Sequence, residues 1–330
     1  MKTFYGIDIL EPPPDGSVIT IGTFDGVHLG HRALIARAIN EAVDRGASSA
    51  VVSWDRHPAA TLRPDKMPPL LCSPERKVEL LSERGQDVLA VLPFDKELSQ
   101  WSAERFVEDV LVKGLGARAV VVGENWRFGK GRTGNVELLT QMGTNLGFDV
   151  VGMKLEESGG EPVSSSRIRA LIGAGDLDGA AALLGRRFDL DGVVVHGDER
   201  GKTLGFPTAN VELSPGLAHP PRGVYAGRAR VGGDATMLPP EEGDPVPRGW
   251  YRAAINIGVN PTFGGDPDVH PARVEAYLLD LDAEIYGAEL RVELWSRLRD
   301  EEKYEDVAAL IEQMRRDVEA TRKIVEETHQ

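Results

Sequence analysis

The chain is short of cysteine, of positive charge and of long apolar runs, and each shortage excludes a class of protein. Its single cysteine, Cys72, can form no internal disulfide and supply no thiolate metal cluster, so a reducing compartment, the cytoplasm, is expected. Lys and Arg number 38 against 52 Asp and Glu, a net charge of −14. That balance speaks against nucleic acid or an anionic membrane as a partner and makes any phosphate site a local feature. No run approaches the ~18 apolar residues of a membrane span, and the opening "MKTFYGIDILEPPPDG" carries no apolar stretch of leader length before its prolines. The sequence leaves the oligomeric state open, a homo-oligomer included.

What is present is ordinary globular material, 41% hydrophobic and 27% charged over 330 residues, enough for two domains of roughly 150 residues each. From Ser17 to about Leu155, the apolar runs "SVITIG", "SAVVSW", "DVLAVLPF", "ARAVVVG" and "FDVVGMKL" alternate with helical spacings such as "HRALIARAINEAVDRG", "SPERKVELLSERG", "SAERFVEDVLVKGLG" and "NVELLTQMGTNLG". This rhythm predicts an α/β domain, a parallel sheet flanked by helices with ligands at the carboxyl ends of its strands. "VSSSRIRALIGAGDLDGAAALLGR" reads as two short helices that close it. After Arg187 the short β-rich runs "DLDGVVVHG", "GVYAGRARVG", "YRAAINIGV", "ARVEAYLLDLD" and "ELRVELWSRLR" predict a small antiparallel barrel or sandwich. A periodic tail from Glu302 to about Glu327 should pack on it as a helix, and the Pro- and acid-rich stretch 237 to 249 reads as a solvated loop. The division expected is therefore 1–186 and 187–330.

"GTFDGVHLGH", residues 22 to 31, follows the first strong strand signal and opens a helix. His28 and His31, three apart, share a helix face there. A helix N-terminus already offers free N–H groups and positive potential to an anion. Imidazoles added to it suit a polyphosphate, donating to non-bridging oxygens and stabilising charge during phosphoryl or nucleotidyl transfer, while Gly22, Gly26 and Gly30 let the backbone approach the nucleotide. A plain turn with a histidine at the helix start is the competing reading, and two-histidine metal ligation ranks below both for want of a third ligand.

The decapeptide resembles the His-x-Gly-His signature of nucleotidyltransferases, in the form used by the bacterial bifunctional riboflavin kinase and FAD synthetase family. "SWDRHP" (53 to 58), "VVGENWRFGKGRTGN" (121 to 135) and "VSSSRIR" (163 to 169) agree with that family in order. The resemblance implies that His28, His31, Asn125 and Arg169 serve adenylyl transfer, beside His57 and Ser165, with Gly22, Phe24, Asp25, Gly30, Arg127, Ser164 and Arg167 lining the nucleotide. On physical grounds the serines and arginines of "VSSSRIR" make a second anion site at a helix entry, expected to face the nucleotide from the far end of the sheet; an ordinary serine cap is the alternative. Asn125, Trp126 and Arg127 should sit at a strand's carboxyl end, or in a polar loop over the core. His57 reads as a phosphate donor or as a capped loop histidine.

In the second half, "HGDERGKTLGFPTANVEL" (196 to 213) contains "GKT", but only three residues separate Gly197 from Gly201. A P-loop requires four and a following helix, which "LGFPTAN" cannot form. The segment offers instead a glycine-bearing flap, with Thr208 and Asn210 at alternate positions of a strand, where hydroxyl and amide oxygens can approach one hard cation such as Mg²⁺. "LGFPTANV", "GVYAG", "NIGVNPTFG", "RVEAYLLDLDAEIYG" and "LRDEEKYEDVAALIEQMRRD" resemble riboflavin kinase domains. That resemblance implies Glu275 as general base for the ribityl hydroxyl, Mg²⁺ on Thr208 and Asn210, nucleotide or flavin contacts from Gly201, Lys202, Gly205, Pro207 and Asn256, and a flavin contact from Arg299. A glutamate in the strand "ARVEAYLL" can be turned toward a ligand or toward solvent. The family usually has Pro at Arg56, often His at Tyr277, and lacks the 237–249 loop.

Two motif sets in order across nearly the whole chain imply a two-step enzyme. ATP phosphorylates riboflavin to FMN in the C-terminal domain, and a second ATP adenylylates FMN to FAD in the N-terminal domain, releasing pyrophosphate. The alternatives are a chain with one active site and a non-catalytic flavin or nucleotide sensor.

Overall fold

The computed structural model describes residues 1–197, 201, 204–232, 249–259, 272–302 and 304–327. Lys202 and residues 237–248 of the expected loop lie outside them, and Gly249, that loop's expected end, begins a strand. The chain forms two compact units, Met1–Leu70 with Pro74–Ser165, and Leu71–Ser73 with Ser166–Gln330.

The first unit holds six strands, β1 (Lys2–Tyr5), β2 (Ser17–Ile21), β3 (Ser48–Trp54), β4 (Val88–Leu92), β5 (Ala117–Gly123) and β6 (Asp149–Met153). They pair in the order β1-β4-β3-β2-β5-β6, every pair parallel. Helices α1 (Leu29–Arg45), α2 (Pro58–Leu62), α3 (Pro74–Ser82), α4 (Ala103–Phe106) and α5 (Val136–Leu146) connect them. β2 and β4 are buried at all five positions, the mark of a sheet covered on both faces. α1 turns Ile35, Ala38 and Ala42 inward and stops on Gly46, whose φ of 60° only glycine adopts without strain. The single helix expected over "SAERFVEDVLVKGLG" is instead one α turn that widens into π geometry over Val107–Gly114. β7 (Glu157–Ser158) and β8 (Glu161–Pro162) form a small hairpin beyond β6.

α6 (Ser165–Gly173) and α7 (Leu177–Leu184) follow as expected. Then β9 (Phe188–Val195), β10 (Ala209–Leu213), β11 (Gly223–Val231), β12 (Gly249–Val259), β13 (Ala272–Leu278) and β14 (Glu289–Arg299) close into an antiparallel barrel, order β10-β13-β12-β11-β14-β9. Phe188, Tyr225, Ile255, Val274 and Val292 fill its interior. The tail is helix α8 (Val307–Glu327), packed against β11, β12 and β14.

Candidate functional site

In the first unit the strand order reverses direction at β2, with β3 on one side and β5 on the other. In a parallel sheet such a switch point opens a crevice at the carboxyl ends. "GTFDGVHLGH" fills that position. Phe24 and Val27 have φ of 50° and 42°, values that cost non-glycine residues of order 1 kcal/mol and are held only by surrounding structure. Phe24 is fully buried, and its ring edge meets the His31 ring with centroids 5.2 Å apart. A side chain on Gly22 would come within 3.1 Å of that ring, so the absence of a Cβ at residue 22 makes room for Phe24.

His28 is the N-cap of α1, its Nδ1 accepting from the His31 N–H at 3.4 Å. An accepting Nδ1 places the proton of the neutral ring on Nε2. The two imidazoles stack with centroids 3.6 Å apart and planes 17° from parallel. His31 is half-buried, but its Nδ1 is sealed and makes no hydrogen bond. Burial, and then the neighbouring His28, hold the His31 pKa well below the usual imidazole range. His31 is therefore held toward its neutral form beside the positive helix end.

Asn125 and Arg127 sit exposed in the turn after β5, where Trp126 stacks on Phe128 at 4.3 Å. His57 caps α2, its Nδ1 accepting from the Ala59 N–H at 3.1 Å, so the capping role is filled. The serine segment corrects one expectation. Ser165 Oγ donates to the Asp25 carbonyl at 3.1 Å, and a Cβ on Gly30 would lie 3.5 Å from the Val163 carbonyl. Val163 and Ser165 thus lie against the histidine turn rather than at the far end of the sheet, because β6 is parallel to β5 and leaves the sheet at the same edge. Ser164 immediately precedes α6, and Arg167 and Arg169 follow on it, Arg169 one turn on from Ser165 and on its face.

In the second unit, Asn210 of β10 pairs opposite Glu275 of β13, which pairs opposite Asn256 of β12; Asn256 then faces Val224, and Val224 faces Arg299. Opposed residues of antiparallel strands point to the same side, so these five make one row across the barrel wall. Val274, Ala276 and Leu278 point into the core, which turns Glu275 outward, into a cavity of about 280 Å³ under α8 that Asn256, Tyr277 and Arg299 also line. Thr208 lines it too, but stands one residue before β10 rather than within it, as the expected alternation required. A Cβ on Gly197 would fall 2.1 Å from the Asn210 amide, and one on Gly201 would fall 2.3 Å from the Phe206 carbonyl and 3.3 Å from Thr208 Oγ1. Those two glycines let the backbone close over Thr208 and Asn210. Gly205, with φ 82°, and Pro207 complete the described part of the turn.

Two residues escaped the sequence reading. Arg273, two before Glu275 and on its face, ion-pairs with Glu275 Oε1 at 2.8 Å and donates to Asn210 Oδ1 from Nε at 3.2 Å and Nη2 at 2.7 Å. The strand's period of two would have revealed it. Asp317 of α8 takes the Arg299 guanidinium in a fork, Nε at 3.1 Å and Nη2 at 2.8 Å to Oδ2, and accepts from Gln313 at 2.9 Å. Burial opposes the charge on Arg299 and the Asp317 carboxylate supports it, leaving the guanidinium pKa raised. Arg299, expected to meet a flavin, lines the cavity, and its guanidinium is held by Asp317.

Fold and geometry define a chain with a histidine-bearing helix start at the switch point of a parallel sheet in one unit and a carboxylate-bearing cavity in the other, an arrangement suited to a nucleotide-dependent transferase. Residues 11–167 match the FAD synthetase family and residues 184–325 the riboflavin kinase family. Bifunctional riboflavin kinase/FMN adenylyltransferases of Escherichia coli K12 and Pseudomonas fluorescens are 35% and 36% identical, over 96% of this chain and 96% of the first, and 98% of this chain and 97% of the second. That of Bacillus subtilis is 34% identical over 91% of this chain and 90% of its own. A crystal structure named as a macrolide-efflux protein from Streptococcus pneumoniae superposes with TM-score 0.81 at 28% identity, covering 98% of this chain and 99% of that one. The chain belongs to the bifunctional riboflavin kinase/FMN adenylyltransferase family.

Proposed function

We propose that residues 187–330 phosphorylate riboflavin and residues 1–186 adenylylate the product. In the first step Glu275 takes the proton of the ribityl hydroxyl as its oxygen attacks the γ-phosphorus of ATP and ADP leaves. The observation that carries this reading is the row Asn210–Glu275–Asn256, which points one carboxylate, flanked by two amides, into a cavity instead of into the core. Lys202 is assigned to the phosphates.

Mg²⁺ is assigned to Thr208 and Asn210. Among the described residues no cluster of three His, Cys, Asp or Glu side chains is placed to hold a metal, so an ion here takes a hydroxyl and an amide oxygen and completes its shell with water and nucleotide oxygens, which suits magnesium. Bound there, it neutralises charge on the transferring phosphates.

In the second step a phosphate oxygen of FMN attacks the α-phosphorus of a second ATP and pyrophosphate leaves. His28 and His31 donate to the phosphate oxygens, with Ser165, Arg167 and Arg169 assigned to the same charge and Asn125, Arg127 and His57 to the bound nucleotides. The described residues include no helix long and apolar enough to cross a membrane; with one cysteine and an acidic surface, the cytoplasm is the assigned compartment, without nucleic-acid or membrane partners.

The test is incubation of the chain with riboflavin, ATP and Mg²⁺, with flavins separated over time. FMN should rise before FAD. Flavin bound but unchanged overturns the reading, and accumulation of FMN alone reduces it to a single site.

A further inference from the structure

The cavity collects acid. Glu275, Glu301, Glu302 and Asp317 line it, and the Arg299 guanidinium is paired with Asp317. Beside Glu275 the compensating charge is Arg273, whose Nε lies 2.8 Å from Glu275 Oε1 while Nε and Nη2 reach Asn210 Oδ1. The guanidinium lies between an amide oxygen and a carboxylate, and so holds the Asn210 oxygen that a hard cation on Thr208 and Asn210 would need.

We infer that Arg273 is a resident stand-in for the divalent cation. With no nucleotide bound, it neutralises Glu275 and holds the Asn210 amide with its oxygen turned toward Glu275. When Mg²⁺ binds, the guanidinium swings off on its flexible stem and yields Asn210 Oδ1 to the ion. Arg273 is then a positioning residue with two consequences. It keeps the two ligating and proton-accepting groups in register while the site is empty, and it sets the Mg²⁺ concentration at which the site fills, because the ion must displace a charge of its own sign. This inference rests on the assignment of Asn210 to Mg²⁺ made above. A guanidinium suits the task better than an ammonium, since its planar fork meets two acceptors at once.

The experiment titrates Mg²⁺ alone, without nucleotide, into the full chain and into Arg273→Gln, reading thermal stabilisation; Mg²⁺ dependence of FMN formation is measured in parallel. Removing a unit charge a few ångströms from the ion should lower the half-saturating Mg²⁺ by about tenfold in both readouts. Arg273→Lys, which keeps the charge but not the fork, serves if the glutamine variant does not fold, and should fall between wild type and that tenfold shift. An unchanged or raised half-saturation overturns the stand-in role. Asn210→Ala separates the two levels. If it leaves Mg²⁺ binding as in wild type, the metal assignment itself fails; if it weakens binding while neither Arg273 variant strengthens it, the site stands and the stand-in falls.

Discussion

His28 and His31 lie ring on ring at 3.6 Å, with His31 Nδ1 sealed from water and unbonded. Two imidazolium ions cannot share that geometry, so His31 is held neutral by burial and by its neighbour. A base whose folded pKa is depressed binds fewer protons folded than unfolded between the two pKa values, and stability then falls with falling pH. The loss should begin near the unfolded imidazole value of about 6.5 and continue downward toward the folded pKa. Thermal melting between pH 7.5 and pH 5 should show a steeper acid loss in wild type than in His31→Gln; equal slopes would remove His31 as the cause.

Substitutions at the two sites should divide the pathway. His31→Ala removes a donor assigned to developing phosphate charge, a loss of about 10²–10³ in rate for such groups, so FMN should accumulate. Glu275→Ala should stop FMN formation and leave FAD synthesis from supplied FMN intact. The reverse pattern in product chromatography would interchange the two assignments.

Gly197→Ala places a methyl where the Asn210 amide now lies, 2.1 Å away. The obstructing atoms end a side chain, so Asn210 rotates and the barrel persists. Unfolding should shift by less than about 1 kcal/mol, while the Mg²⁺ and ATP requirements of the kinase step rise several-fold.

Asp317→Ala leaves the Arg299 guanidinium, 17% exposed, without its carboxylate. An ion pair this covered costs about 3 kcal/mol when one partner is removed, measurable by urea unfolding. Riboflavin affinity should fall with it, since α8 covers the cavity. A neutral outcome would mean α8 does not depend on this fork.

Strongly periodic segments were legible: strands β2 to β6, α1 and α5, and the barrel strands follow from spacing and turn residues. β1 was not, because among its four residues only Phe4 is buried and no alternation shows. The serine segment was misplaced because its position depends on the direction in which β6 leaves the sheet, which no local pattern carries. That Glu275 leaves the core follows from the strand's period of two, which also puts Arg273 on its face; the Arg273–Asn210 contact and the Arg299–Asp317 fork were not legible, since one spans 63 residues and the other joins β14 to α8.

β13 carries two obligations on alternate residues, Val274, Ala276 and Leu278 to the core and Arg273, Glu275 and Tyr277 to the cavity side. Deleting one residue within it would exchange the two sets, driving a glutamate into the apolar interior while a valine takes its place beside Asn210. The strand therefore admits substitutions one at a time but no change of length. Folding and chemistry here share a single reading frame.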